Sequence, residues 1–299
     1  MTNLHQIKQD VPHQEPGFPL DVFHIIPTGK EILHLHWHDD WEIIYLIRGN
    51  AIFYIGSETV RPEPGDFMFV NKGLIHTGFS ESDDPVEYYA VVFHSSLAGS
   101  SMADAYHMQI TNPYITGKSF FPIHLSVKDA HYPFIAGIVK QLIAEYEQQH
   151  QGYRLAIRSM LHLLLVHLSR HHQLQGPSAS AVPIDTELTE KFKELIAFVE
   201  QHYPEKLTVQ QAAGIVNLSE YHFCRTFKKM TGKTFVEYVN LLRINAAEQL
   251  LIHSSDPVTE IAFNVGFGSV NYFSQMFRQY KRFSPSQCRK QNVKGQGLS

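Results

Sequence analysis

Apolar positions change their period along this chain, and the change divides it. Between Asp21 and His94 the runs are short and strand-like, at Leu33–Trp37, Glu42–Arg48, Ala51–Ile55, Asp66–Val70 and Glu87–Phe93. Clusters of Gly, Pro and Asp separate them, and many short strands at close spacing predict a barrel or sandwich. After Ser126 the period is helical. Phe134, Ile138, Gln141, Leu142 and Glu145 lie on one helix, and Leu155 to His171 forms a second, rich in leucine at Leu161, Leu164, Leu165 and Leu168. Gly152 breaks between them, which predicts an antiparallel helical pair. Ser95 to Lys118 has no clear period and reads as loops. Gln175 to Ala181 is small and polar, a flexible linker.

The last third states one plan twice. Leu207, Val209, Ala212, Ala213 and Ile215 recur at helical spacing, with Thr208 as N-cap and Gln211 completing a capping box. Asn217-Leu218-Ser219 makes a turn, and Ser219 caps a helix that buries Phe223 and Phe227. That helix presents Glu220, Tyr221, Cys224, Arg225 and Lys228. In the second copy Asp256 is the expected cap and Pro257 the first helical residue. Thr259, Ile261, Ala262 and Val265 follow, and Gly266-Phe267-Gly268 turns into a helix capped by Ser269. It buries Phe273 and Phe277 and exposes Val270, Asn271, Ser274, Gln275 and Arg278. A long apolar-periodic helix, about Phe235 to Ile252, lies between the copies. Two helices joined by a tight turn form a helix-turn-helix, whose second helix fits the DNA major groove. The plain alternative is a helical bundle that binds no DNA; two copies at a fixed offset argue against it.

The stretch Ile261-Ala262-x-x-x-Gly266-Phe267-x-Ser269-x-x-Tyr272-Phe273-x-x-x-Phe277-Arg278, closing with Ser284-Pro285-x-x-Cys288-Arg289, resembles the AraC/XylS family of bacterial transcription regulators. The resemblance covers about Ala197 to Gln291 and includes Ala212, Arg225, Lys228, Gly232, Tyr238, Arg243, Ala247, Leu250 and Leu251. It departs at Arg282, where the family carries Gly, and at Cys288, where it carries an aromatic.

In the first half, His36-x-His38-x-x-x-Glu42-x6-Gly49 and Gly65-x5-Asn71-x-Gly73-x-x-His76 resemble the two motifs of the cupin β-barrel. Asn71 replaces a Pro, and Ser80 replaces the closing Asn. Alternation puts His34, His36 and His38 on one strand face, with Glu42 opening the next strand and His76 arriving from a later one. Three imidazoles and a carboxylate make a legitimate set for a divalent transition metal. The same groups also serve as hydrogen-bonding partners for a small polar ligand without metal. The expected effector pocket draws on His36, His38, Glu42, Tyr45 and His76, with Trp37, Trp41 and Tyr45 available either to stack on a sugar ring or to pack the barrel as ordinary apolar residues.

At 299 residues the chain has room for two domains. Its net charge of −4 conceals an asymmetry. From residue 205 onward 12 Lys and Arg face 6 Asp and Glu, a balance of +6, which leaves 13 against 23, or −10, before it. A basic module at one end is the footprint of DNA contact confined there. The two cysteines, Cys224 and Cys288, lie in that module and are expected as free thiols of a cytoplasmic protein. No apolar run approaches a membrane span.

The expected fold is therefore α+β with two domains. A cupin-like effector barrel spans 1–130, a helical pair 131–174, a linker 175–186, and an all-α DNA-binding domain 187–299 with helix-turn-helix units at 207–229 and 257–279. The resemblance implies a transcriptional activator rather than an enzyme, acting as a homodimer through Leu161, Leu164 and Leu168, although packing of these leucines against the barrel fits the same apolar excess. Its implied partners are double-stranded DNA, a small-molecule effector of the carbohydrate class, and RNA polymerase. No cofactor is expected beyond a divalent metal on His36, His38, Glu42 and His76. A metal-dependent cupin enzyme with an accessory helical domain is the alternative.

Overall fold

The computed structural model describes residues 8–9, 13–15, 17–99, 105–175 and 186–295. The chain divides into two compact units, Met1–Thr189 and Glu190–Ser299. Most of the expected linker, 176–185, lies outside the described residues.

The first unit is built on two antiparallel sheets from β1 (Leu20–Ile25), β2 (Glu31–His36), β3 (Trp41–Arg48), β4 (Ala51–Ile55), β5 (Glu58–Val60), β6 (Phe67–Val70), β7 (His76–Ser80), β8 (Glu87–Phe93) and β9 (His124–Leu125). One sheet runs β1-β8-β3-β6-β9 and the other β2-β7-β4-β5. β5 and β9 are too short to alternate visibly, and β7, His-Thr-Gly-Phe-Ser, is too polar. Two cores follow from strand alternation. Ile44, Leu46 and Met68 meet Ile32, Phe53 and Ile55 between the sheets. Trp41, Ile43, Phe67 and Phe93 face the other way, against helices.

Those helices are α1 (Ala105–Ile115), α2 (Tyr132–Gln148) and α3 (Tyr153–Gln175). α1 corrects the expectation of loops over Ser95 to Lys118. Pro113 inside it, and its weak apolar pattern, hide its period from the sequence. α2 and α3 turn about Gly152, whose φ of +88° suits glycine. The dimer assignment also needs correction. Leu161, Leu164 and Leu168 are at most 1% exposed and belong to the unit's own core with Trp41 and Ile43. Helical period identifies an apolar face but not what covers it; here the outer face of the five-stranded sheet does. Phe134 on α2 is exposed and stacks on His167 at 5.5 Å.

The second unit comprises α4 (Thr186–His202), α5 (Val209–Ile215), α6 (Glu220–Thr231), α7 (Phe235–His253), α8 (Val258–Asn264), α9 (Val270–Lys281) and α10 (Pro285–Gly295). The capping box at Thr208 forms: its hydroxyl accepts from Gln211 N at 3.1 Å, and Gln211 Oε1 accepts from Thr208 N at 2.9 Å. Ser219 and Ser269 cap α6 and α9 as expected. Asp256 does not cap α8. The N-cap is Pro257, and the Asp256 carbonyl instead accepts from Arg289 Nη2 at 2.6 Å. α5 and α8 start at 209 and 258, α6 and α9 at 220 and 270, so the second turn holds one extra residue. Phe223, Phe227, Phe273 and Phe277 are fully buried.

Arg282 ends α9 at φ +69°, where Gly232 ends α6 at φ +71°. An L side chain in that left-handed region costs about 1–2 kcal/mol, partly offset by the entropy glycine loses on folding. Arg282→Gly is therefore expected to stabilise the protein by about 0.5–1 kcal/mol. A urea midpoint that fails to rise would show that Arg282 carries no net strain.

Candidate functional site

The site bridges the two sheets of the first unit. Glu42 stands on β3, the middle strand of one sheet, on the face that looks between the sheets. His36 and His76 are register partners on β2 and β7 of the other. His38 comes from the loop that joins β2 to β3. One ligand atom from each of His36, His38, Glu42 and His76 falls within 4.8 Å of all the others. The sequence places these four together correctly.

Backbone carbonyls aim the rings. Nδ1 of His36 donates to His34 O at 2.8 Å, Nδ1 of His38 to Asp40 O at 3.1 Å, and Nδ1 of His76 to Leu74 O at 2.8 Å. A carbonyl cannot donate, so each Nδ1 carries the proton and Nε2 is left as the ligand atom. Nε2 of His38 and of His76 then faces the same oxygen, Glu42 Oε2, at 3.1 and 3.0 Å. An ionised carboxylate cannot donate either. Each Nε2 must therefore hold a second proton or give its lone pair to a cation.

The electrostatics agree. Burial opposes ionisation of Glu42, but hydrogen bonds from His38 and His76 outweigh it and hold the carboxyl well below the usual range. Burial also works against a charge on His38, and its hydrogen bond to Glu42 reverses this and raises it. His36 is pushed down to about 3 by burial and then by His76, so it stays neutral at physiological pH. His38, Glu42 and His76 are at most 3% exposed, whereas His36 is half-buried and forms the open side of the set. The donor set, three imidazole nitrogens oriented by backbone carbonyls and one carboxylate, fits a divalent transition-metal ion.

The carbonyls of His34, Asp40 and Leu74 escaped sequence reasoning, because a backbone acceptor leaves no residue-type signal. Asn71 explains one departure from the cupin motif. Its side chain donates to Phe121 O at 3.1 Å and accepts from Phe121 N at 2.8 Å, pinning a crossing segment beside the His38 loop. Gly73 N, next to it, donates to His38 O at 2.8 Å.

Several expected members lie elsewhere. His34 is exposed and pairs with Glu31, because β2 shifts register between Leu33 and His36 and breaks the alternation. Tyr45 lies on the opposite face of β3 from Glu42, stacked on Phe67 at 4.5 Å with Lys140 over its ring. Trp41 shares that face and packs edge-on against Phe93 and Phe121. Trp37 lies under Lys8 Nζ, 5.1 Å from its ring centre. None of these aromatics faces the cluster.

In the second unit, Tyr221, Cys224, Arg225 and Lys228 are exposed on α6, and Asn271, Gln275 and Arg278 on α9. Val270 and Ser274 are half-buried, Val270 against the core around Phe273. The Arg225 guanidinium lies 5.8 Å from the ring centre of Tyr221, one turn earlier on α6. Sequence reasoning missed Tyr272 on α9, whose hydroxyl accepts from Asn240 Nδ2 of α7 at 3.1 Å. Cys224 is exposed and Cys288 buried, both as free thiols.

A chain with a polar cluster inside a two-sheet barrel, followed by paired helix-turn-helix units, defines a transcriptional regulator with a separate ligand-binding domain. Residues 25–165 match a family described as an AraC-like ligand binding domain, and residues 212–291 match a helix-turn-helix domain. The chain belongs to the AraC/XylS family. It is 27% identical to the transcriptional regulator YdeC of Bacillus subtilis over 86% of each chain. It is 30% identical to the transcriptional activator RhaS of Escherichia fergusonii over 97% of each. Among solved structures, ToxT of Vibrio cholerae is similar over 90% of this chain and 97% of its own, at 14% identity and a TM-score of 0.38. Relatives along nearly the whole length are named as regulators, which removes the alternative of a metal-dependent enzyme. No helix among the described residues is long and apolar enough to cross a membrane.

Proposed function

We propose that this regulator is an activator that senses a small hydroxylated molecule, of the carbohydrate class, at a divalent-metal centre in its barrel. The observation that carries the proposal is the convergence of His36, His38, Glu42 and His76 within 4.8 Å. The three Nε2 atoms and the Glu42 carboxylate would hold the ion, and the ion would supply a Lewis-acidic point for hydroxyl or carboxylate oxygens. His36, half-buried, lines the side from which an effector would approach. Activation is supported by relatives named as activators. A ligand shifts such a protein only through unequal affinity for two arrangements of it.

Elemental analysis of protein purified without metal-chelate resin tests the centre. About one transition-metal ion per chain is expected, and removing it with a chelator should abolish the effector-dependent change in footprints on the gene's own upstream DNA. Full effector response in metal-free protein would overturn the metal centre. No response to any member of a sugar panel would overturn the carbohydrate class.

On the DNA side we propose that α6 reads bases through Tyr221, Cys224 and Arg225, and α9 through Asn271 and Gln275. Val270 and Ser274 contribute only their exposed edges, and Lys228 and Arg278 meet phosphates. Arg225 can fork onto guanine, and Asn271 or Gln275 onto adenine, each worth about 1–3 kcal/mol of discrimination. Arg225→Ala is expected to relax specificity at one or two base pairs in a binding selection. Equal weakening across all sequences would make Arg225 a phosphate contact.

A further inference from the structure

We infer that Arg243 is a positioning residue that locks the two helix-turn-helix units into one rigid reader. This rests on the proposed reading of both α6 and α9 as DNA-contacting helices. Arg243 sits on α7, the helix between the units. Its Nε donates to Tyr203 O and its Nη2 to Glu205 O, both at 2.7 Å. Its guanidinium also lies 5.8 Å from the ring centre of Phe267, in the turn of the second unit. One planar side chain thus holds two carbonyls and an aromatic face, which lysine cannot do.

What it joins gives the contact its meaning. Tyr203, Pro204 and Glu205 connect α4 to α5 and so belong structurally to the first helix-turn-helix unit. α4 packs there, with Phe192 6.2 Å from both Phe223 and Phe227 of α6. Yet Tyr203 packs against the core of the second helix-turn-helix, with Ile261, Phe267 and Phe273. The Pro204 backbone is also pressed against Gly266 in the second turn. The entry segment of the first helix-turn-helix is therefore docked on the turn of the second helix-turn-helix, and Arg243 is the polar group that spans the joint.

A rigid joint converts two separate half-site contacts into a single event with a high effective concentration, and a loosened joint forfeits part of that gain. The test uses full-length protein and a duplex enriched by it from a random-sequence library. Derived duplexes scramble either half or insert five base pairs between the halves. Arg243→Gln is expected to weaken binding to the enriched duplex about 10- to 100-fold. It should change binding to half-scrambled duplexes by less than about threefold and reduce the penalty of the insertion. Arg243→Lys should restore little, although it restores the charge.

Equal loss on every duplex, or rescue by Arg243→Lys, would overturn the assignment and leave a phosphate contact or a general fold defect. Should Arg243→Gln not fold, Phe267→Leu, which removes the aromatic platform and keeps apolar bulk, is judged by the same criterion. A wild-type protein indifferent to scrambling one half would overturn the two-helix reading and the Arg243 assignment together. Dependence on both halves with uniform loss in the variant overturns Arg243 alone.

Discussion

Exchanging Gly266 for alanine is expected to unfold the second helix-turn-helix unit and abolish DNA binding. Two costs coincide at this position. Its φ is +96°, which an L side chain adopts only with strain. A Cβ there would also run into the Pro204 backbone, which has no flexible end to yield. Together these should exceed about 3 kcal/mol, a large part of what a domain of this size has to lose. Gly268, two residues on, has open space around its would-be Cβ and no positive φ. Gly268→Ala should therefore melt within a degree or two of wild type. Thermal unfolding of the two variants side by side checks the claim, and similar behaviour would refute it.

Replacing Glu42 with leucine is expected to erase metal binding and effector response while leaving basal DNA affinity within about twofold, because the proposed base and phosphate contacts all lie in the second unit. Without the carboxylate, the Nε2 atoms of His38 and His76 lose their shared acceptor. Removing one partner of a buried charged set costs about 3–5 kcal/mol, so the barrel should also melt earlier. Glu42→Gln separates the two effects. It keeps the shape and an acceptor oxygen but not the charge, and should lower metal affinity at least about 100-fold with a smaller loss of stability. Calorimetric metal titration and a reporter assay read these outcomes. An effector response that survives Glu42→Leu would remove the cluster from the sensing mechanism.

The sequence and the structure agree where a rule acts locally. Thr208 with Gln211, Ser219 and Ser269 are caps because a side-chain oxygen satisfies an amide three residues on, and such spacing is written in the chain. The buried Phe pairs of α6 and α9 follow from helical period in the same way. His36, His38, Glu42 and His76 were legible through their spacing. Tyr45 was misassigned although the information was present: it stands three residues from Glu42 on one strand, and an odd separation puts the two on opposite faces. His34 was not legible, since the register shift in β2 arises from pairing with β7 and leaves no local mark. Leu161, Leu164 and Leu168 show the same limit at longer range. Nothing in a leucine stripe says whether a second chain or the chain's own sheet will cover it.

β3 is a wall one residue thick between two different environments. Glu42 and Ile44 look toward the cluster and the inter-sheet core, while Trp41 and Ile43 press on the leucines of α3. Interiors packed to crystal density have little slack to absorb a displacement. A strand shift that accommodates a ligand on one side must therefore appear on the other, at the seat of the helical hairpin. The barrel offers no insulation between its chemistry and its mechanics. An occupant of the cluster would be felt at the hairpin within the width of a single strand.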